Sequence, residues 1–582
     1  MMRGHRQRAA LAAIAALTLG VSACGSDNGG GGGGSNNGQA NLPAPSKEQS
    51  AQAEKKIDIN AQPRDALKQG GTVRWVIDQF STQWNYNQYN GAESSTYDVM
   101  VNDLMPELFI ADENAVTSPN PNYVTKAEVT STDPKQVVTI DLNPKAVWSD
   151  GTPITEKDLE TQWKALNGTN KDFAAGSTTG YEQIESVKAG TSDKQAVITF
   201  SKPFGEWQSL FAPLYPAKYQ STPKLFNTAY LNKIPATAGP FQLDKLDKTS
   251  KTVTVVPNPK WWGDPPLLDS IVFRALEGDA GVGAFANGEA DYDLLAIDPG
   301  YYKRASETSG GEVRQAGAPD YRHFTINGQA PDLKDVKVRQ AIMEGVNRSA
   351  ITKSDLTGLN WPTILMNNHM FVNTQAGYQD NAGEYGQYNP DNANKLLDQA
   401  GWKLDGQFRK KDGKELDLRF VIPSGLPVSR REGELTQGMM KDIGIKLTID
   451  TVPSDDFFDK YILIGNYDIT PFSWLGTAFP ISPNKAIYIN PKSEKNGTPA
   501  NQQNFARVGS PEIDKLFNEA LSETDTNKAR ELLNQADKLV WEEGHSIIMY
   551  QRPQSVAIRS DLANLGARGF RDVHYEDIGF VK

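Results

Sequence analysis

Few residues in this chain have the type and spacing to do chemistry. Its 582 residues hold one cysteine, Cys24, and five histidines, His5, His323, His369, His545 and His574. The histidines are far apart and match no metal-ligand spacing. Asp455-Asp456 is the kind of carboxylate pair that performs acid–base work, yet an exposed helix start accounts for it better. No phosphate-binding loop, nucleophile elbow or His-Glu-x-x-His motif occurs. Gly281-Val-Gly283-Ala-Phe-Ala286 has the look of a dinucleotide fingerprint. It follows Glu277-Gly-Asp279 rather than a hydrophobic strand, so no nucleotide site is expected there. The expectation is a protein that is not an enzyme, with no catalytic residue, no cofactor and no metal.

Cys24 has a different chemistry. A basic start (Arg3, Arg6, Arg8) leads into an apolar stretch from Ala9 to Val21, shorter than the roughly 20 residues of a membrane-spanning helix. Those flanks and that length belong to a secretory signal. The run Val21-Ser22-Ala23-Cys24 resembles a bacterial lipobox, in which the thiol takes a lipid and the cysteine becomes the new N-terminus. The next residues open with Gly29–Gly34 and continue in Ser, Asn, Gln, Pro and Lys to about Leu67. Such a stretch buries too little apolar surface to offset the entropy of ordering. This predicts a flexible tether that holds a large polar body at the outer face of the cell membrane. Stable anchoring of this kind needs more than one acyl chain.

The body is long enough for more than one domain. Its net charge of −11, with both signs interspersed, describes a solvated surface and excludes the clustered basic face of a nucleic-acid binder. With no cysteine beyond Cys24 there is neither a disulfide nor a thiol nucleophile. Eleven Trp, twenty Tyr and twenty-two Phe supply a core, and a peptide or sugar groove would draw on the same rings.

Local pattern then places the elements. Strands are predicted at Thr72–Ile77, Val137–Leu142, Ala196–Phe200, Thr252–Val256 and Ser270–Phe273, with turn residues between them. Glu156–Leu166 reads as a helix, capped by Thr155 with Asp158 three residues on. From Asp335 onward helices are predicted at 335–346, 390–399, 429–443, 510–521 and 526–543, with strands at 416–422 and 446–452. A strand-rich half thus precedes a half that alternates helix and strand.

The segment Asn143–Asp158 (NPKAVWSDGTPITEKD) resembles the signature of the family 5 extracytoplasmic solute-binding proteins, the receptors of peptide- and nickel-type ABC importers. The matching positions are Lys145, Trp148, Ser149, Asp150, Gly151, Pro153 and Asp158, and their own chemistry reads as a turn and a helix cap. Further landmarks follow in the family's order. They are Thr237-Ala-Gly-Pro-Phe241, Asn258-Pro-Lys-Trp-Trp-Gly263, Gly288-Glu-Ala-Asp291, Asn327 with Val338-Arg339 and Asn347-Arg348, and Tyr388-Asn-Pro with Ala400-Gly401-Trp402.

The resemblance covers residues 70–582. It implies an α/β, two-lobed periplasmic-binding-protein-like fold of the large type, with an extra inserted subdomain and a cleft between the lobes. The boundaries it implies are a lipoprotein signal over 1–23 and a tether over 24–68. The first lobe would comprise 69–95, 204–322 and 548–582, with the insert over 96–203 and the second lobe over 323–547. The chain would cross near Arg322–Asn327 and return near Ile547–Arg552. The partners implied are a peptide-like small solute and ABC permease subunits with their cytoplasmic ATPases. The body would be a monomer, bound to the membrane only through Cys24.

Peptide-binding relatives carry Trp-x-x-Asp in the second lobe, where the acid meets the peptide's α-amino group. Here Trp474 stands with Thr477 at the acid's position, and Pro471 replaces an arginine found in some relatives. The expected ligand contacts are Trp474 as an aromatic wall and Thr477 as a polar contact. Asp78, Phe80 and Gln83 would follow the first strand, with Tyr97 and Arg322 beside them. A replacement acid would come from Asp78, Asp455 or Asp456; otherwise the ligand is a blocked peptide, an oligosaccharide or a metal chelate. A ligand sensor without transport is the alternative of a different class.

Overall fold

The computed structural model describes residues 51–101, 103–493, 499–500 and 503–582. The expected signal over 1–23, Cys24 and the start of the tether lie outside these residues. Among the described residues no helix is long and apolar enough to cross a membrane.

In the strand Thr72–Ile77 one face, Val73, Trp75 and Ile77, is fully buried, and the other is buried only at Val76. It pairs in parallel with Ser270–Ala275 on one side and Tyr292–Leu294 on the other. These strands belong to one ten-stranded sheet. Across it the order is Lys446–Val452, Asp417–Pro423, Ile469–Trp474, Gly311–Ile326, Ser546–Arg559, Tyr292–Leu294, Thr72–Ile77, Ser270–Ala275, Thr252–Pro257 and Phe241–Asp247. Two long antiparallel strands, the crossing strand Gly311–Ile326 and the return strand Ser546–Arg559, form its middle. The first-lobe strands lie on one side of this pair and the second-lobe strands on the other.

The central pair is interrupted in its middle, and its register shifts again between Arg322 and His323. Gly317 faces Pro553 and Tyr321 faces Gln551, so Ala318, Pro319 and Asp320 stand outside the ladder. Pro319 and Pro553 have no N–H to donate, which is why regular pairing fails here. The Gln551 side-chain amide compensates by donating to the Ala318 carbonyl at 2.7 Å.

Two large apolar cores flank the central strands. One gathers Val73, Trp75, Phe273 and Tyr292 of the first lobe. The other gathers Phe324, Phe420, Ile469 and Ile547 of the second. A separate four-stranded antiparallel sheet is made of Val124–Ser131, Val137–Leu142, Gln195–Phe200 and Ile184–Ala189 in that order. The helix Glu156–Leu166 packs on it, closed by the predicted capping box between Thr155 and Asp158.

The signature Asn143–Asp158 is built into this fold. Thr152 N–H bonds Asp150, Gly151 adopts φ +89°, and the Trp148 indole donates to Asp158 at 3.3 Å. Ser149 and Thr237 exchange hydrogen bonds, which ties the signature to the Thr237-Ala-Gly-Pro turn. Gly281 and Gly283 lie inside the helix Asp279–Ala286.

The tether expected to run to residue 68 ends earlier. Asp58 pairs with Ala567, Arg64 binds Asp577 at 2.6 Å, and Leu67 is buried beside Leu267 and Ala563. These partners are hundreds of residues away in sequence, so local composition gives no sign of them.

Candidate functional site

Strand direction shows where a ligand would sit. In the second lobe Asp417–Pro423, Lys446–Val452 and Ile469–Trp474 run parallel. The last of them is antiparallel to the crossing strand, with Trp474 opposite Tyr321, beside the interruption. In the first lobe Tyr292–Leu294 is antiparallel to the return strand, with Leu294 opposite Val556, so it and Thr72–Ile77 also end towards the interruption. Open α/β sheets bind ligands beyond the carboxyl ends of their strands. The segments after Ile77 and after Trp474 therefore both reach the interrupted strand pair: Arg552 lies in the field of Asp78 and of Asp320, and the Gly476 N–H bonds Asp320, which makes the space above this pair the candidate cleft. Two shallow hollows of about 340 and 380 Å³ lie at the opposite ends of the second-lobe strands and share Arg419 and Asp468.

The second-lobe wall is aromatic and apolar. Trp474 is half-buried and stacks on Phe505 with ring centroids 5.5 Å apart, with Phe472 edge-on at 5.2 Å. Phe458, Leu426 and Leu475 are exposed on the segments that follow the three parallel strands, Phe458 within the helical turn Phe457–Ile462. Thr477 is exposed, and its hydroxyl accepts the Phe479 N–H at 3.1 Å. Gly476 lies against the floor: a Cβ built on it would stand 2.3 Å from the Pro319 carbonyl oxygen.

The first-lobe wall carries Asp78 and Phe80. Phe80 is half-buried, edge-on to Trp84. Asp78 is open to solvent yet surrounded by protein, and its nearest bonded neighbour is the Ser94 hydroxyl at 3.5 Å. Desolvation raises its carboxyl above the usual range, against the pull of Arg552. Two acids lie within its field. Burial pushes Asp293 up to about 7 and Asp98 up to about 6, and in both the Asp78 charge adds to the rise. Tyr97 is half-buried with the Arg568 guanidinium 5.7 Å above its ring.

The other expected contacts are taken up inside the fold. Gln83 is buried, with its amide donating to Asn227 O and accepting from Asn85 N–H. Arg322, expected at a ligand carboxylate, is instead buried against Glu432 at 2.8 Å and Ser429 at 2.9 Å. Asp456 pairs with Lys460 at 2.8 Å. Among the described residues no group of three or more His, Cys, Asp or Glu could hold a metal ion.

Two floor residues escape a reading from sequence alone. Asp320 projects from the interruption and meets Arg552 of the return strand at 3.5 Å. The Arg552 Nε–H is buried and has no hydrogen-bond partner. Their signal was the pair of prolines, Pro319 and Pro553, each beside a charged residue within an otherwise strand-like run.

The comparisons give the family and the fold. The family described as "Bacterial extracellular solute-binding proteins, family 5 Middle" matches residues 118–497. The chain is 38% identical over 550 residues to the oligopeptide-binding protein OppA of Mycobacterium tuberculosis, covering 93% of this chain and 90% of that protein. Among solved structures, a periplasmic EDTA-binding protein, EppA, superposes with a TM-score of 0.81 at 26% identity, covering 90% of this chain and 98% of its own. The oligopeptide-binding protein AppA of Bacillus subtilis, in complex with a nonapeptide, superposes at 0.76 and 18% identity, covering 89% and 100%, a likeness of fold.

Proposed function

The chain belongs to the bacterial extracellular solute-binding proteins of family 5, and from that premise we propose that it captures a peptide or peptide-like solute between its lobes for an ABC importer. It is a binding protein and not an enzyme. The observation that carries the peptide reading is the cleft itself. One wall offers Trp474 with exposed Phe458, Leu426 and Leu475, which suits apolar side chains. The floor and the facing wall offer Asp320, Arg552 and Asp78, which suit chain ends and backbone groups. The 38% identical relative named for oligopeptide binding supports the same reading.

Delivery follows from closure. Within the large sheet the two sides are joined through the crossing and return strands, and we place the bend at the interruption Ala318–Asp320, with the helices from Ile481 to Val540, which pack in the same core as Val73 and Trp75, moving with the first side. Closing on a ligand would change the face shown to a permease with cytoplasmic ATPases. Cys24, with its signal and tether, would hold the body at the membrane. A Cys24→Ser protein should then appear in the soluble fraction.

A second reading, a metal chelate, draws support from the 26% identical EDTA-binding structure and from Arg552 at the cleft floor.

A thermal-shift screen of the purified protein, stripped of bound ligand, separates the two. The set is free-amine peptides, N-blocked peptides, oligosaccharides and metal–EDTA complexes. Ligand at about 100 times its dissociation constant adds about 2.7 kcal/mol of stability, a shift of a few degrees. A shift with metal–EDTA and none with peptides would reverse the order of the readings.

A further inference from the structure

We propose that Asp320 is the acid that receives the ligand's cationic amino group, and that it does so by exchanging its loose contact with Arg552 for the ligand. This inference rests on the peptide reading above and names the specificity-determining residue of that site.

Four observations carry it. First, Asp320 lies in the unpaired stretch of the crossing strand, so neither neighbouring strand engages its backbone through the ladder. Second, it is a partly exposed carboxylate, with 20% of its side chain open, in a strand whose following residues, Tyr321 to Ile326, are all buried. A ligand can reach it, and the low-polarity surroundings make an added cation count for more.

Third, its present partner holds it weakly. The Arg552 Nη1 stands 3.5 Å away, well beyond the 2.7–2.9 Å of a charge-assisted hydrogen bond. Arg552 keeps its Nε–H unbonded and also lies in the field of Asp78 on the facing wall. An arginine between two acids can release one and turn to the other. Fourth, Asp320 touches the ligand wall directly. Gly476 packs on Pro319, and its N–H favours the charged form of Asp320. The loop Trp474–Thr477 thus lacks an acid of its own but rests on one supplied by the crossing strand. Burial raises the Asp320 carboxyl above its usual range, against the pull of Arg552, the Gly476 N–H and the more distant Arg568.

Binding of free-amine peptides and of the same peptides N-acetylated, measured by calorimetry on the purified protein, tests this. The wild type should prefer the free amine by tenfold or more. Asp320→Asn should abolish that preference by weakening free-amine binding at least tenfold while leaving the acetylated peptides within twofold. If Asp320→Asn does not fold, Asp320→Glu replaces it and should reduce the preference without abolishing it. Retained full preference in either Asp320 variant, or equal binding of both peptide forms by the wild type, would overturn the proposal and leave the peptide reading standing. Binding of no peptide by the wild type would overturn both.

Discussion

Glu206 caps Ser482. The Glu206 carboxylate accepts the Ser482 N–H at 2.7 Å, the Ser482 hydroxyl at 2.5 Å and the Ile481 N–H at 2.8 Å. Glu206 follows the four-stranded sheet, whereas Ser482 opens the helix Ile481–Tyr488 just after the Trp474–Thr477 loop. Its neighbour Gly205 donates to the Leu521 carbonyl at 2.7 Å, and a Cβ there would stand 2.2 Å from the Glu523 carbonyl oxygen. A loop of the strand-rich half is therefore fastened to two helices of the alternating half. The contact adds a third connection to the two central strands.

Glu206→Gln replaces a charged acceptor of three donors by a neutral amide that must turn an NH₂ towards some of them. The variant should lose about 1–3 kcal/mol of stability in urea denaturation. An unchanged midpoint would show that the cap contributes nothing.

Asp103 is buried with neither carboxylate oxygen hydrogen-bonded, and burial holds its carboxyl well above the ordinary value. The folded state therefore keeps a proton that the unfolded state releases near pH 4. Stability from this site is present below the unfolded value and declines as pH rises towards the folded one. Asp103→Asn mimics the protonated form. It should match the wild type near pH 4 and exceed it by about 1–3 kcal/mol at pH 7–8. Chemical denaturation at the two pH values measures this; a gain independent of pH would contradict it.

Arg322 and Glu432 form a buried ion pair, with Asp355 and Tyr550 beside it. Arg322→Met leaves Glu432 uncompensated and should cost about 3–5 kcal/mol, whereas Arg322→Met with Glu432→Leu should recover most of that loss. Peptide affinity of the double variant should stay within a few fold of wild type. A large loss of affinity at restored stability would return Arg322 to the ligand site.

Trp474→Ala removes the aromatic face beside Phe505 and Phe472. Calorimetry should show binding weakened by about 1–3 kcal/mol, with a smaller effect for peptides of small polar side chains than for apolar ones. Equal losses for both classes would place the ring in loop packing rather than against the ligand.

Much of this protein was legible locally. Helix Glu156–Leu166 with its Thr155–Asp158 box, helix Pro390–Gln399 and the strands Val137–Leu142 and Lys446–Val452 occur at the predicted bounds. Each depends on side-chain periodicity and caps within one segment, which sequence states directly. The ordered landmarks carried the family, and with it the two lobes. What no segment states is which distant groups meet. Arg322 finds Glu432 110 residues away, and Gln315 finds Asp58 257 residues away. These pairings decide whether a polar residue faces ligand or core, because a buried charge must be matched wherever the chain brings a partner. Sequence thus placed Asp78 and Phe80 after the first strand, and the family resemblance marked Trp474, which ends the strand Ile469–Trp474. Only the register of the central strands put Asp320 between them.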